Sequence, residues 1–271
     1  MEEKSIMAKI LQVNNLRIKF KSRPDKNAVD GINFYIEEGD ILGLVGESGS
    51  GKSVTAMAIS GLLQKSLIEY EGSVLVDGKE MLDTDREDIH EMQGTDIAIV
   101  FQEPMTALDP VMKVGLQVEE ALNIHFPEMS ADEKKARALV AMNKAGLFDV
   151  ENVYNKYPHE LSGGMLQRIC IAAAIISKPK LLIADEPTTA LDVTTQGHII
   201  ELLKKINEES GTSILFISHN LAVVHALCNK VIVMKNGKLV ERGEVEEVYK
   251  NPKDPYTKKL LAAIPNRNKR Y

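Results

Sequence analysis

At 271 residues, with a formal net charge of −6, the chain is long enough for one large domain or two small ones, and an acidic balance disfavours nucleic acid as a partner because a phosphate backbone requires a basic face. No run approaches the ~18 apolar residues of a membrane-spanning helix, and the acidic opening Met1-Glu2-Glu3-Lys4 leads into no apolar signal core, so the chain is expected to stay in the cytosol and any membrane role to be peripheral. Cys170 and Cys228 lack metal-ligand spacing and read as ordinary buried thiols of a reducing compartment.

Residues 10–13, 16–20 and 32–36 alternate apolar and polar side chains, which predicts antiparallel strands with one wet face. A charged loop, residues 21–26, lies between the second and third runs. Phe20 suits stacking on a purine base, and suits a core position on a strand equally well.

The next stretch organises the chain. Gly46-Glu47-Ser48-Gly49-Ser50-Gly51-Lys52-Ser53 fits the phosphate-binding loop pattern. Such a loop folds around a polyphosphate with its backbone N–H groups turned inward, and glycine is expected where that backbone comes closest. Lys52 can reach the β- and γ-phosphates of a nucleotide, and the Ser53 hydroxyl can bind Mg²⁺. Ile41-Leu42-Gly43-Leu44-Val45 before the loop reads as a buried strand. Residues 54–63, from Val54 onward, read as a helix with an apolar face. Strand, glycine loop and helix form the required context, because the helix N-terminus adds further N–H groups and partial positive charge.

Residues 73–82 read as a hairpin turning at Asp77-Gly78. Residues 97–101 form a buried strand ended by Gln102-Glu103-Pro104. From 110 to 158 apolar residues recur at helical spacing, as in Val114, Val118, Leu122 and again Leu139, Met142, Leu147, which predicts an all-helical insert. At Leu161-Ser162-Gly163-Gly164 a second helix is preceded by glycines, with Ser162 a good N-cap. It is a second candidate anion site, or simply a turn before a helix.

Leu181-Leu182-Ile183-Ala184-Asp185-Glu186 reads as a parallel strand with Asp185 at its C-terminal edge, where open α/β sheets bind ligands. Asp185 can hold Mg²⁺, and Glu186 can orient and deprotonate a water. The alternative is an acidic pair capping the helix that starts at Val193. Residues 213–218 form another buried strand, ending at His219. A histidine at that edge can contact a γ-phosphate or serve structure alone. Residues 231–234 and 238–241 form a hairpin through Asn236-Gly237. Residues 244–250 read as a helix that Asn251-Pro252-Lys253-Asp254-Pro255-Tyr256 breaks, and the basic end Asn266-Arg267-Asn268-Lys269-Arg270-Tyr271 reads as solvated.

Joined in order, these motifs resemble the ATP-binding cassette (ABC) ATPases over nearly the whole chain. The loop 46–53 matches Walker A, Gln102 the Q-loop glutamine, and residues 161–167 the signature beginning Leu-Ser-Gly-Gly. Residues 182–186 match Walker B with its catalytic glutamate, Ala190-Leu191-Asp192 the D-loop, and His219 the switch histidine. The resemblance implies an α/β fold: a RecA-like P-loop NTPase core, an antiparallel β subdomain and an all-helical insert. It implies an ABC ATPase domain over residues 1–250, with a helical subdomain at about 104–165 and a short C-terminal extension at 251–271. It implies ATP and Mg²⁺ as cofactors. Catalytic roles fall to Glu186, His219 and Gln102. The nucleotide falls to Phe20, the loop Gly46 through Ser53, Val54, Ser162, Gly163, Gly164 and Asp192, and the metal to Ser53, Gln102 and Asp185.

The implied assembly is a head-to-tail dimer of ABC ATPase subunits, identical or homologous. Two ATP molecules lie at its interface, each between one chain's 46–53 and the other's 162–164. Two transmembrane permease subunits and, indirectly, an extracytoplasmic solute-binding protein complete the implied partners, with the ATPase peripheral on the cytoplasmic face of the membrane. Residues 47–55, Phe101-Gln102-Glu103-Pro104, Tyr157-Pro158-His159-Glu160-Leu161 and the run from Asn251-Pro252 to Pro255-Tyr256-Thr257 look like the dipeptide/oligopeptide/nickel importer subfamily. Leu166 stands where many peptide-type members carry a basic residue, and the sequence stops at Tyr271 without their cysteine cluster. Both lean toward a metal-chelate or short-peptide solute. ABC proteins acting on chromosomes separate Walker A from the signature by a long coiled coil; here about a hundred residues intervene without heptads. Translation-factor types carry two cassettes in one chain, and a regulator without turnover conflicts with an intact Glu186.

Overall fold

The structure, a computed structural model, describes residues 8–264 apart from Ala190. The acidic opening, the basic end and the first residue of the expected D-loop lie outside the described residues. The strands run, in chain order, β1 (Lys9–Phe20), β2 (Asn27–Glu37), β3 (Ile41–Val45), β4 (Ile68–Val76), β5 (Lys79–Glu80), β6 (Ile97–Val100), β7 (Leu181–Asp185), β8 (Ser213–Ser218), β9 (Lys230–Lys235) and β10 (Lys238–Glu244). The chain divides into two compact units, Met1–Asp83 with Ser213–Tyr271, and Thr84–Thr212.

In the first unit an antiparallel sheet has the order β2-β1-β4-β5. Two of the expected runs, 10–13 and 16–20, are one strand. Asn14-Asn15, which interrupts the apolar pattern, is a bulge: pairing with β2 jumps from Val13↔Phe34 to Leu16↔Ile32, with Asn15 at φ 45°. The Asn15 N–H, displaced from the ladder, donates to Asn33 Oδ1 at 2.8 Å. After the bulge, Leu16 and Ile18 are buried again like Val13 before it. Asp77-Gly78 makes the expected hairpin turn, with both residues at positive φ.

β3 is buried along its whole length and pairs in parallel with β8 on one side and β9 on the other. Asn236-Gly237, again both at positive φ, turns β9 back into β10. The helix Leu221–Leu227 packs on β3 and β8. Lys230 ties β9 to the turn after β2 through Glu37 Oε2 at 2.6 Å and Asp40 Oδ2 at 2.7 Å. Beyond Asn251 the chain does not stay irregular but forms another helix, Pro255–Ala262. The local start signal is Asp254 accepting from the Tyr256 N–H at 2.7 Å, with Pro255 in the first turn. Tyr256, Leu260 and Ile264 then recur at helical spacing, with Tyr256 buried.

In the second unit β6 and β7 pair in parallel. Helices Pro104–Ala107, Val114–Val118, Glu120–His125, Ala131–Lys144, Val150–Tyr154 and Gly163–Ile175 lie between them in sequence, and Val193–Ser210 follows β7. Val114, Val118, Leu122, Ala138, Met142, Leu166 and Ile169 form their buried face. Ser130 and Glu133 close a capping box on Ala131–Lys144. One polar pair is fully inside: the Tyr154 hydroxyl donates to Glu119 Oε1 at 2.7 Å, and both residues are less than a tenth exposed. Tyr154→Phe leaves that carboxylate buried without its donor. It should cost about 1–3 kcal/mol of stability in urea unfolding; an unchanged midpoint would mean that Glu119 reaches solvent unaided.

Candidate nucleotide-binding site

β3 delivers the loop 46–53 directly from its last residue, Val45. The helix Lys52–Ile59 then begins with Gly51 at its N-terminus, at φ 109°. The glycines are needed for a reason the sequence does not disclose. A Cβ on Gly46 would run into the Met234 carbonyl oxygen and lie 2.7 Å from Ser50 Oγ, and one on Gly51 would strike the Ala28 carbonyl oxygen. So β9 and β2 press on these two positions from behind, and it is Gly49, at φ 76° with open space beside it, that faces outward. The Gly237 N–H also donates to the Ser50 carbonyl at 2.9 Å, fixing the loop to the β9–β10 turn.

Lys52 is 4% exposed. Its Nζ donates to the carbonyls of Gly46 at 2.9 Å and Glu47 at 3.1 Å, so the ammonium is folded across the loop. Ser50 Oγ is buried and has no hydrogen-bond partner among the described residues. Ser53 is exposed at the helix start and Val54 is half-buried beside it. His219 belongs to the same unit. Val45 pairs with Ser218, so Gly46 and His219 are the next residues on neighbouring parallel strands. Asn220 after it caps the following helix by accepting the Ala222 N–H at 2.9 Å. Phe20 is half-buried at the end of β1, paired with Ile68 of β4.

The second unit holds the other groups. Val100 pairs with Ala184. Two residues further on each strand stand Gln102 and Glu186, and Gln102 Nε2 donates to Glu186 Oε2 at 3.4 Å. The Thr189 hydroxyl donates to the same oxygen at 2.9 Å. Glu186 has φ 48°, a left-handed conformation that a glutamate adopts only at a cost of order 1–3 kcal/mol. Asp185, half-buried, ends β7 just before it.

The acidic residue that caps Val193–Ser210 is Asp192. Its Oδ1 accepts the N–H groups of Thr194 and Thr195 at 3.0 Å each, and Oδ2 accepts the Thr195 hydroxyl at 2.7 Å. These bonds, the Thr195 N–H first, hold its carboxyl below the usual aspartate range. Ser162 caps Gly163–Ile175 as expected, accepting the Met165 N–H at 3.4 Å. The two glycines after it differ. Gly163 is exposed, with open space where a side chain would stand, whereas a Cβ on Gly164 would lie 2.8 Å from Thr195 Cγ2. Gly164 therefore serves packing between two helices of its own chain. Leu166 is 2% exposed, so its apolar character reports on the interior.

The ABC transporter family matches residues 29–189. The sequence is 45% identical to the dipeptide transport ATP-binding protein DppD of Lactococcus lactis, over 95% of this chain and 74% of that one. It is 43% identical to the oligopeptide transport ATP-binding protein AppD of Bacillus subtilis, over 96% and 79%. Among solved structures, an ATP-binding cassette in a dimeric post-hydrolysis state with ADP and Pi superposes with TM-score 0.77 at 31% identity, covering 87% of this chain and 98% of that one.

The chain belongs to the ABC transporter family. As an ABC ATPase domain it binds ATP. The first unit of this cassette fits that ligand on its own geometry. It offers a helix N-terminus behind a glycine loop, an ammonium held across the loop, and a buried hydroxyl lacking a partner. The sequence reading missed Thr189, Thr195 and Tyr256, the last of which accepts the Glu47 N–H at 2.8 Å. The threonines carried no signal beyond lying next to the D-loop. Lys52→Ala removes the loop's only side-chain cation and should abolish tight MgATP binding or turnover; hydrolysis at the parent rate by the purified variant would refute the assignment of the loop.

Proposed function

We propose that this ATP-hydrolysing subunit of an ABC transporter powers the import of short peptides. The choice of solute rests on relatives of 43–45% identity that are named for dipeptide and oligopeptide transport. Nickel and metal chelates remain the second solute class of the same subfamily. The burial of Leu166 weakens the sequence argument that favoured them. The observation that carries the motor role is the loop 46–53 with Lys52 folded across it at the start of a helix.

In this reading residues 1–250 are the ATPase domain, residues about 104–165 its helical subdomain, and 251–271 a short C-terminal extension. The loop 46–53 and Val54 take the phosphates of ATP, and Phe20 stacks on the adenine. Mg²⁺, taken by Ser53, Gln102 and Asp185, would neutralise charge on the phosphate oxygens. Glu186 accepts the proton of the attacking water. Its strained backbone and its bonds from Gln102 and Thr189 aim the carboxylate. His219 contacts the γ-phosphate.

Ser162, Gly163 and Gly164 act on ATP held by a second cassette, identical or homologous, in a head-to-tail dimer. The D-loop Asp192 supports that face by fixing Thr195, against which Gly164 packs. Two permease subunits receive the motion and a solute-binding protein acts outside. Nucleic acid is not a partner. No helix among the described residues is long and apolar enough to cross a membrane; the place proposed for the subunit, peripheral on the cytoplasmic face, rests on its relatives being transport ATP-binding proteins.

Glu186→Gln keeps the shape of the side chain but cannot take a proton. It should bind ATP at parent affinity, stop hydrolysis and trap an ATP-bound dimer in sedimentation; normal turnover would remove Glu186 from the base role. For the action in trans, Gly163→Asp is the informative change, because the position is open in its own chain while Gly164 is not. A negative charge there should block ATP-driven association with the partner subunit and leave the isolated chain's affinity for a fluorescent ATP analogue unchanged. Loss of that affinity with association intact would show that the signature works in cis.

A further inference from the structure

Glu47 is held at both ends of its own backbone. Its carbonyl oxygen accepts from Lys52 Nζ at 3.1 Å and from the Ser50 N–H at 3.2 Å. Its N–H donates to the Tyr256 hydroxyl oxygen at 2.8 Å. Tyr256 stands 209 residues away in sequence, beyond the 29–189 segment that matches the family. It is 5% exposed, and Lys235 Nζ sits 4.8 Å from the centre of its ring. The helix that carries it is anchored in turn. Asp254 caps its first turn, and the N–H groups of Lys253 and Asp254 donate to the Glu241 carboxylate at 2.7 and 3.0 Å. A continuous bracket thus runs from β10, through the helix Pro255–Ala262, to the phosphate-binding loop.

We propose that Tyr256 is a positioning residue for nucleotide binding: its hydroxyl fixes the Gly46–Glu47 peptide, and through that peptide's Gly46 carbonyl, which accepts from Lys52 Nζ at 2.9 Å, it sets where the Lys52 ammonium stands. The inference rests on the assignment of the loop 46–53 to ATP. A buried phenol satisfied by any backbone group would serve packing equally well. This one takes an N–H of the loop itself, from the peptide whose carbonyl holds the lysine. With the tether removed, the loop samples more conformations, and nucleotide must order it on arrival. The loss falls on binding rather than on the chemical step, which the groups around Glu186 perform.

Tyr256→Phe deletes the hydroxyl and keeps the ring in its pocket. The loss of one neutral hydrogen bond predicts an ATP-analogue Kd and a KM for ATP raised roughly threefold to tenfold, with kcat within about twofold of the parent. Amide exchange should quicken over residues 46–52 and stay unchanged elsewhere, with the melting temperature lowered by no more than the few degrees that one lost hydrogen bond accounts for. A parent-like Kd overturns the proposal, and so does faster exchange throughout the chain with a melting temperature lowered further than that, the mark of general loosening. Should Tyr256→Phe fail to fold, Asp254→Ala loosens the same helix start and should raise Kd in the same sense; unchanged affinity there overturns the proposal too. Lys52→Ala, measured alongside, separates the two levels. If it binds nucleotide like the parent, the loop assignment fails. If it loses binding while Tyr256→Phe matches the parent, only the role of Tyr256 fails.

Discussion

Val45 and Ser218 face each other in a parallel ladder, as do Val100 and Ala184. Side chains alternate along a strand with a period of two, so a slip of one residue would send each side chain to the opposite face. β3 and β8 are buried on both faces, and their sequences are correspondingly apolar almost throughout. Polar chemistry can begin only where burial ends. The register sets that point for Gly46 and His219 together in one unit, and for Gln102 and Glu186 together in the other. The 3.4 Å approach of Gln102 to Glu186 follows from the pairing of the strands that precede them.

What the sequence disclosed was whatever depends on neighbours along the chain. The buried strands, the Asn236-Gly237 and Asp77-Gly78 turns, the Ser162 cap and the phosphate loop each carry their cause within a few residues. The bulge at Asn14-Asn15 was misread as a gap between strands, because a polar pair interrupts alternation in either case. The helix after Pro255 was missed because Asn251-Pro252 and Pro255 read as a break, although Asp254-Pro255 starts a helix and Tyr256, Leu260 and Ile264 follow at helical spacing. The reasons for Gly46, Gly51 and Gly164 were hidden for a different cause. Each is set by a group distant in sequence, Met234, Ala28 or Thr195, and no local pattern names such a neighbour.

Thr195 joins two motifs that the sequence keeps about thirty residues apart. Its hydroxyl and N–H bind Asp192, and its methyl group lies where Gly164 leaves room. Arg168, further along the signature helix, donates to the carbonyls of Ala145 and Gly146 at 2.8 and 3.3 Å and so closes the end of Ala131–Lys144. The N-terminus at Gly163 is therefore carried on a helix fixed from two sides, by Thr195 at Gly164 and by the Arg168 bonds further along.

The two carbonyls that hold Lys52 also make the loop a comparator. A ligand recruits that ammonium only by offering more than the oxygens of Gly46 and Glu47 already do. The bonds to these carbonyls are already charge-assisted through the ammonium; a phosphate oxygen adds a full negative charge on the acceptor side, which favours the exchange for a polyphosphate that reaches Nζ. A nucleoside, or a monophosphate too short to reach it, has nothing to offer in return. With the loop assigned to ATP, discrimination by the length of the phosphate chain would begin in these internal bonds of the loop.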